Sequence, residues 1–101
     1  MNKQKFPDTW DLKTKVEFLQ RTVLVNSVLY YQLNDSKMSD KRYDEISREL
    51  LKLQSEYGDI SDTQYGYAFD EFDATTGFDL YSKLNDYDKE RIMSICNAIR
   101  W

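Results

Sequence analysis

The sequence predicts a mainly α-helical single domain: a long helical hairpin, a short extended or two-stranded element, and a closing C-terminal helix. Two observations carry that expectation. Apolar residues recur in steps of three and four along two long stretches, which is the spacing of one buried helix face. Only one Pro and three Gly occur in 101 residues, so little in the chain forces turns. The length suits one domain with one core, residues 1–101.

After a short polar start, Leu12, Val16, Leu19, Val23, Tyr30 and Leu33 form the first stripe, with Asn26 filling its one gap. Leu24, Val25, Val28 and Leu29 widen the buried face. Asn34, Asp35 and Ser36 then interrupt the helix with residues that favour turns. Ser39 is suited to cap a second helix, and Asp40 and Asp44 stand where the positive end of a helix dipole favours acids. Tyr43, Ile46, Leu50, Leu53 and Tyr57 continue that helix until Gly58, a natural stop. Two antiparallel helices joined by a short turn make an αα-hairpin.

Beyond Gly58 the period changes. Tyr65, Tyr67 and Phe69 alternate with smaller or polar residues, which predicts a short extended segment laid across the hairpin. A turn is expected at Gly77, a helical turn in FDLYSKL, and a last helix from Asn85 or Asp86 that buries Ile92, Ile95, Cys96 and Ile99. The terminal Trp101 is expected to dock on the hairpin.

The net charge of −4 is unevenly spread. Residues 1–58 hold ten Lys and Arg against nine Asp and Glu, whereas residues 59–101 hold four against nine. Between Lys52 and Lys83 every charged residue is acidic: Glu56, Asp59, Asp62, Asp70, Glu71, Asp73 and Asp79. Such a surface repels a phosphate backbone and attracts basic groups, so direct nucleic-acid binding is not expected, and a basic protein surface is a candidate partner. Asp70 and Asp73 are three apart, which does not match the spacing of a calcium loop.

The single cysteine, Cys96, excludes an intramolecular disulfide, and on an apolar stripe it reads as a buried small hydrophobe. Histidine is absent, which removes the commonest general base and metal ligand. The start MNKQKF leads into polar sequence, and no apolar run approaches a membrane span, so a cytoplasmic location without membrane attachment is expected.

The stretch YYQLNDSKMSDKRYDEISREL, residues 30–50, sets two tyrosines before the bend and Asp40, Tyr43 and Asp44 after it. Asp40, Tyr43 and Asp44 lie at i, i+3 and i+4, on one face of a first helical turn. Either these residues close the end of the hairpin, or they form one wall of a pocket for a small polar ligand. The stretch resembles the N-terminal helical subdomain Ia of bacterial NAD-dependent DNA ligases, whose pattern runs approximately YH-x7-[SP]D-x-x-YD-x-L-x-x-EL. The hairpin, residues 8–58, carries the resemblance. Residues 59–101 do not match it and read as an acidic closure of the chain's own.

The resemblance implies recognition of the nicotinamide mononucleotide (NMN) half of NAD, with Tyr30, Tyr31, Asp40, Tyr43 and Asp44 facing the ligand. Tyr31 stands where the family has histidine, Asn34 where it often has aspartate, and Ser36 where it often has proline. The K-x-D-G lysine that attacks the α-phosphate in a ligase does not occur in the sequence, so the chain is expected not to be an enzyme and to require no cofactor, with NMN or NAD as ligand. The resemblance is to free-standing ligase-related proteins of bacterial and phage genomes. From a different class comes an alternative: an acidic interaction protein or inhibitor that occupies a basic surface of a host protein.

Overall fold

The computed structural model describes residues 6–35, 37–74 and 77–100. Trp101 and residues 1–5 lie outside them, and with them the expectations of a docked tryptophan and a loose start. Helix α1 spans Leu12–Ser27, and its N-terminus is capped by Asp11, whose carboxylate accepts from the Thr14 N–H at 2.8 Å. That hydrogen bond holds the Asp11 carboxyl below its usual range. At Val28–Gln32 the helix widens into a π-turn, in which the Leu33 N–H reaches back five residues to the Val28 carbonyl at 3.0 Å. Asn34, at φ 51°, then turns the chain, and the Asp35 N–H closes on the Leu29 carbonyl at 2.7 Å.

The π-turn corrects one expectation about burial. A strict α stripe would carry Tyr30 inward with Val23. The wider turn adds about one residue and rotates the succeeding side chains by roughly 100°. Val28 and Leu29 stay sealed in the core as expected, while Tyr30 is 49% and Tyr31 37% exposed.

Helix α2 spans Asp40–Tyr57 and runs back along α1. The Ser39 hydroxyl accepts from the Arg42 N–H at 3.1 Å, and Gly58, at φ 95°, ends the helix in a conformation that a side chain would strain. Ile46, Leu50 and Leu53 face Val16, Leu19, Val23 and Leu24 in the core.

No strand occurs among the described residues. The segment expected to be extended forms two 3₁₀ turns instead, Ile60–Asp62 and Gly66–Ala68. Its backbone bonds are local: Thr63 N–H to the Ile60 carbonyl at 3.0 Å, and Ala68 N–H to the Tyr65 carbonyl at 2.9 Å. Gly66 permits this folding, because a Cβ there would run into the Ile60 carbonyl oxygen and the Thr63 hydroxyl. Tyr65 and Phe69, four apart, are buried on one side, while Tyr67 is 43% exposed.

Gln20, fully buried in α1, ties this segment to the hairpin. Its side-chain amide donates to Gln54 Oε1 at 3.1 Å and to Thr63 Oγ1 at 3.0 Å, and its carbonyl oxygen accepts from the Tyr65 N–H at 3.4 Å. A short helix α3, Leu80–Lys83, and helix α4, Asp86–Arg100, complete the chain. The Asn85 side chain caps α4 by accepting from the Asp88 N–H at 2.8 Å. Its buried row is Asp88, Ile92 and Cys96, and one further step of four reaches Arg100. Ile99 falls beside that row and is 45% exposed, and Ile95 is only half-buried, contrary to the burial expected for both. Beside the core packing of Ile92 and Cys96, polar contacts fasten α4, among them Cys96 Sγ to the Val25 carbonyl at 3.4 Å, the Tyr67 hydroxyl to Asp88 Oδ2 at 2.5 Å, and Arg100 Nε to Asp35 Oδ2 at 2.9 Å. None of the described helices is long and apolar enough to cross a membrane.

Candidate functional site

The bend of the hairpin joins the end of α1 to the start of α2 through one short bond. Tyr43 lies in the first turns of α2, and its hydroxyl meets the Ser27 hydroxyl at 2.6 Å. Tyr31 follows Ser27 by one turn and is close enough to Tyr43 for the two phenols to influence each other electrostatically. Burial pushes the Tyr43 phenol above its usual range, and the bond from Ser27 opposes that shift. The buried Ser47 hydroxyl stands near the same phenol without a well-formed hydrogen bond. Tyr43 is thus half structural: its ring supports the core and its hydroxyl is fixed.

Tyr30 and Tyr31 lie perpendicular to each other, with ring centroids 4.7 Å apart. A third ring joins them from the far part of the sequence. Phe78 packs against Tyr31 at 5.5 Å and 84°, and it is 66% exposed. The preceding Gly77 is buried directly against the hairpin, where a Cβ would collide with the Tyr43 and Ser27 hydroxyls and press on Leu80 Cδ1 at 3.2 Å. Sequence reading missed Phe78, since nothing in the local pattern ties residue 78 to residue 31. Its neighbour Gly77 was the available signal, read there only as a turn.

Asp40 is exposed at the first position of α2, where the helix dipole favours a carboxylate. One turn on, Asp44 holds a pair with Arg48 at 2.8 Å. That pair is largely solvated, so it contributes only about 0.2–0.5 kcal/mol and leaves the carboxylate able to accept other donors. Of the five residues expected to face a ligand, Tyr30, Tyr31 and Tyr43 are gathered at the bend, and Asp40 and Asp44 flank Tyr43 on α2. The cluster offers aromatic faces and carboxylate acceptors. The one cysteine is elsewhere, and burial pushes the Cys96 thiol up to about 11, which makes it a poor nucleophile.

Several carboxylates of the acidic set beyond Lys52 also have local partners. Glu56 pairs with Lys52 at 3.8 Å, and Glu71 and Asp79 each lie 3.7 Å from the Lys83 ammonium. The two Asp62 carboxylate oxygens share the single proton of the Tyr57 hydroxyl, at 2.9 and 3.0 Å. Asp59 accepts from the Ser61 N–H at 3.0 Å, a bond that holds its carboxyl below the usual range. Asp70 and Asp73 are exposed between these groups. Most of these carboxylates therefore serve local capping and pairing.

A family model described as the DNA ligase-like, N-terminal NAD+-binding domain matches residues 9–65. The chain belongs to that family. The ligase-like chain is 32% identical over 91 residues to a DNA ligase of Phytoplasma mali (strain AT), a span covering 88% of this chain and 13% of that relative. It is 27% identical over 103 residues to a DNA ligase of Pseudothermotoga lettingae, covering 95% of this chain and 15% of the relative. The chain thus spans only a small part of the length of these curated relatives. At such coverage the similarity runs well past Gly58, so the expectation that it stops at the hairpin's end is corrected. No solved structure matches the chain.

Proposed function

We propose that this ligase-like chain is a non-catalytic module that recognises the NMN half of NAD, in an accessory or regulatory role, through Tyr30, Tyr31, Asp40, Tyr43 and Asp44. The observation that supports the reading most is the Ser27–Tyr43 bond at the bend, which ties the first turns of α2, where Asp40 and Asp44 lie, to the end of α1, which carries the exposed rings. The oxidised nicotinamide ring is a planar cation, and a tyrosine face attracts it by about 0.5–2 kcal/mol. Carboxylates at Asp40 and Asp44 suit the ribose hydroxyls and the carboxamide N–H groups, which are donors that an ionised acid accepts. The substitution of Tyr31 for the family's histidine exchanges an imidazole for another ring, so the wall becomes more aromatic and less able to titrate near neutral pH.

Adenylyl transfer requires a lysine nucleophile in a K-x-D-G setting, and these 101 residues hold none, which supports binding without chemistry. A single wall leaves most of a ligand in water. We therefore expect a dissociation constant of roughly 0.1–10 mM, equivalent to about 3–5 kcal/mol. Ligand-observed NMR with NMN, NAD and AMP tests the assignment of halves. NMN and NAD should bind alike and AMP should not. Equal binding of AMP, or binding of none of the three at several times the upper limit, would remove the reading.

A further inference from the structure

We propose that Phe78 faces the ligand as a third ring and makes this surface selective for the oxidised, cationic nicotinamide over its reduced, neutral form. The inference rests on the NMN reading above and adds a residue and a discrimination to it. Phe78 lies beyond the residues that the family model matches, and it reaches the bend only through tertiary folding. Its large apolar ring is held two-thirds exposed beside Tyr31, itself at right angles to Tyr30, so the three rings present π faces in more than one direction. Gly77 fixes the backbone that carries it, because only a residue without Cβ fits against the Tyr43 and Ser27 hydroxyls.

The ring faces favour a cation. Each ring face is the negative pole of a quadrupole, and Asp40 adds a carboxylate in the first turn of α2, while Asp44 shares its charge with Arg48 at 2.8 Å. Three of the basic side chains around the bend are occupied: Lys37 pairs with Asp35 at 3.4 Å, Arg42 with Glu45 at 3.7 Å, and Arg48 with Asp44. Reduction of nicotinamide adds a hydride, cancels the positive charge and puckers the ring. Both the charge attraction and flat stacking are weakened.

The test compares NMN with reduced NMN by amide-shift titration of the full chain, and repeats it in Phe78→Leu and Phe78→Tyr. NMN should bind about three- to tenfold more tightly than reduced NMN. In Phe78→Leu, which keeps apolar area without a π face, that ratio should fall towards one, mainly through weaker NMN binding. Phe78→Tyr should keep it. Equal affinity for the two forms in the natural chain, or an unchanged ratio in Phe78→Leu, would overturn the inference while leaving NMN recognition standing. Failure of both forms to bind would remove NMN recognition itself, and this inference with it.

Discussion

Gln20 shows how much of this fold hangs on a single polar side chain. Fully buried, it satisfies Gln54, Thr63 and the Tyr65 N–H at once, and so fixes the 3₁₀ segment onto the hairpin. Gln20→Leu preserves approximate volume but leaves at least one buried amide unpaired. Urea denaturation should show a loss of about 1–3 kcal/mol with an unchanged slope. Tyr67 gives a pH signature. Its ring is exposed, but its hydroxyl turns in to donate to Asp88 and accept from the Asn85 N–H, and burial with the Asp88 bond pushes the phenol up to about 12. The neutral form is therefore favoured in the folded state. This contribution is complete below an unfolded value near 10 and is lost as pH rises through about 12. Thermal melts across that range should fall, and Tyr67→Phe should flatten the decline. At this scale the sequence was informative where chemistry is local: the caps at Ser39 and Asn85 and the stop at Gly58 follow from a side-chain oxygen or a missing Cβ. Gln20 was not legible, since its partners lie 34 to 45 residues away.

Among the elements, the hairpin was readable because each helix keeps a three-four period long enough to exclude a strand. Two misreadings have definite causes. Tyr65, Tyr67 and Phe69 alternate, yet Tyr65 and Phe69 are also four apart, and that second spacing won once Gly66 allowed tight 3₁₀ turns to form. The stripe through Tyr30 assumed an unbroken α register, whereas the π-turn shifts it and leaves Tyr30 exposed. Such wide turns are often found where a helix has to present side chains to a ligand. The turn ends in Asn34 with φ 51°, a left-handed conformation that asparagine tolerates and β-branched residues do not. Asn34→Val should cost about 1–2 kcal/mol in chemical denaturation. Asn34→Gly should be close to neutral.

In the molecule as a whole, the last helix closes back on the bend. Arg100 bonds Asp35, and its guanidinium holds that carboxyl below the usual range, so the turn between α1 and α2 is braced by the far end of the chain. The radius of gyration, 12.9 Å, is that of a closely packed chain of this length. This bracing explains why the site was only partly legible: five of its residues are neighbours in sequence, but Phe78 arrives with the closure. The charge distribution gives a discriminating prediction. NMN affinity governed by stacking and short hydrogen bonds should change by no more than about twofold between about 0.01 M and 0.15 M salt, whereas a basic protein held by the acidic surface would dissociate steeply over the same range.

The central claim is that the bend gathers rings and carboxylates from both helices into one NMN-binding surface. Amide-resolved NMR of the full chain, titrated with NMN to several millimolar, tests it most directly. Saturable shifts at 30–31, 40–44 and 77–78 together, lost in Tyr43→Ala while the chain remains folded, are the expected result. Shifts confined to other parts of the molecule, or no saturable shifts at all, would contradict it.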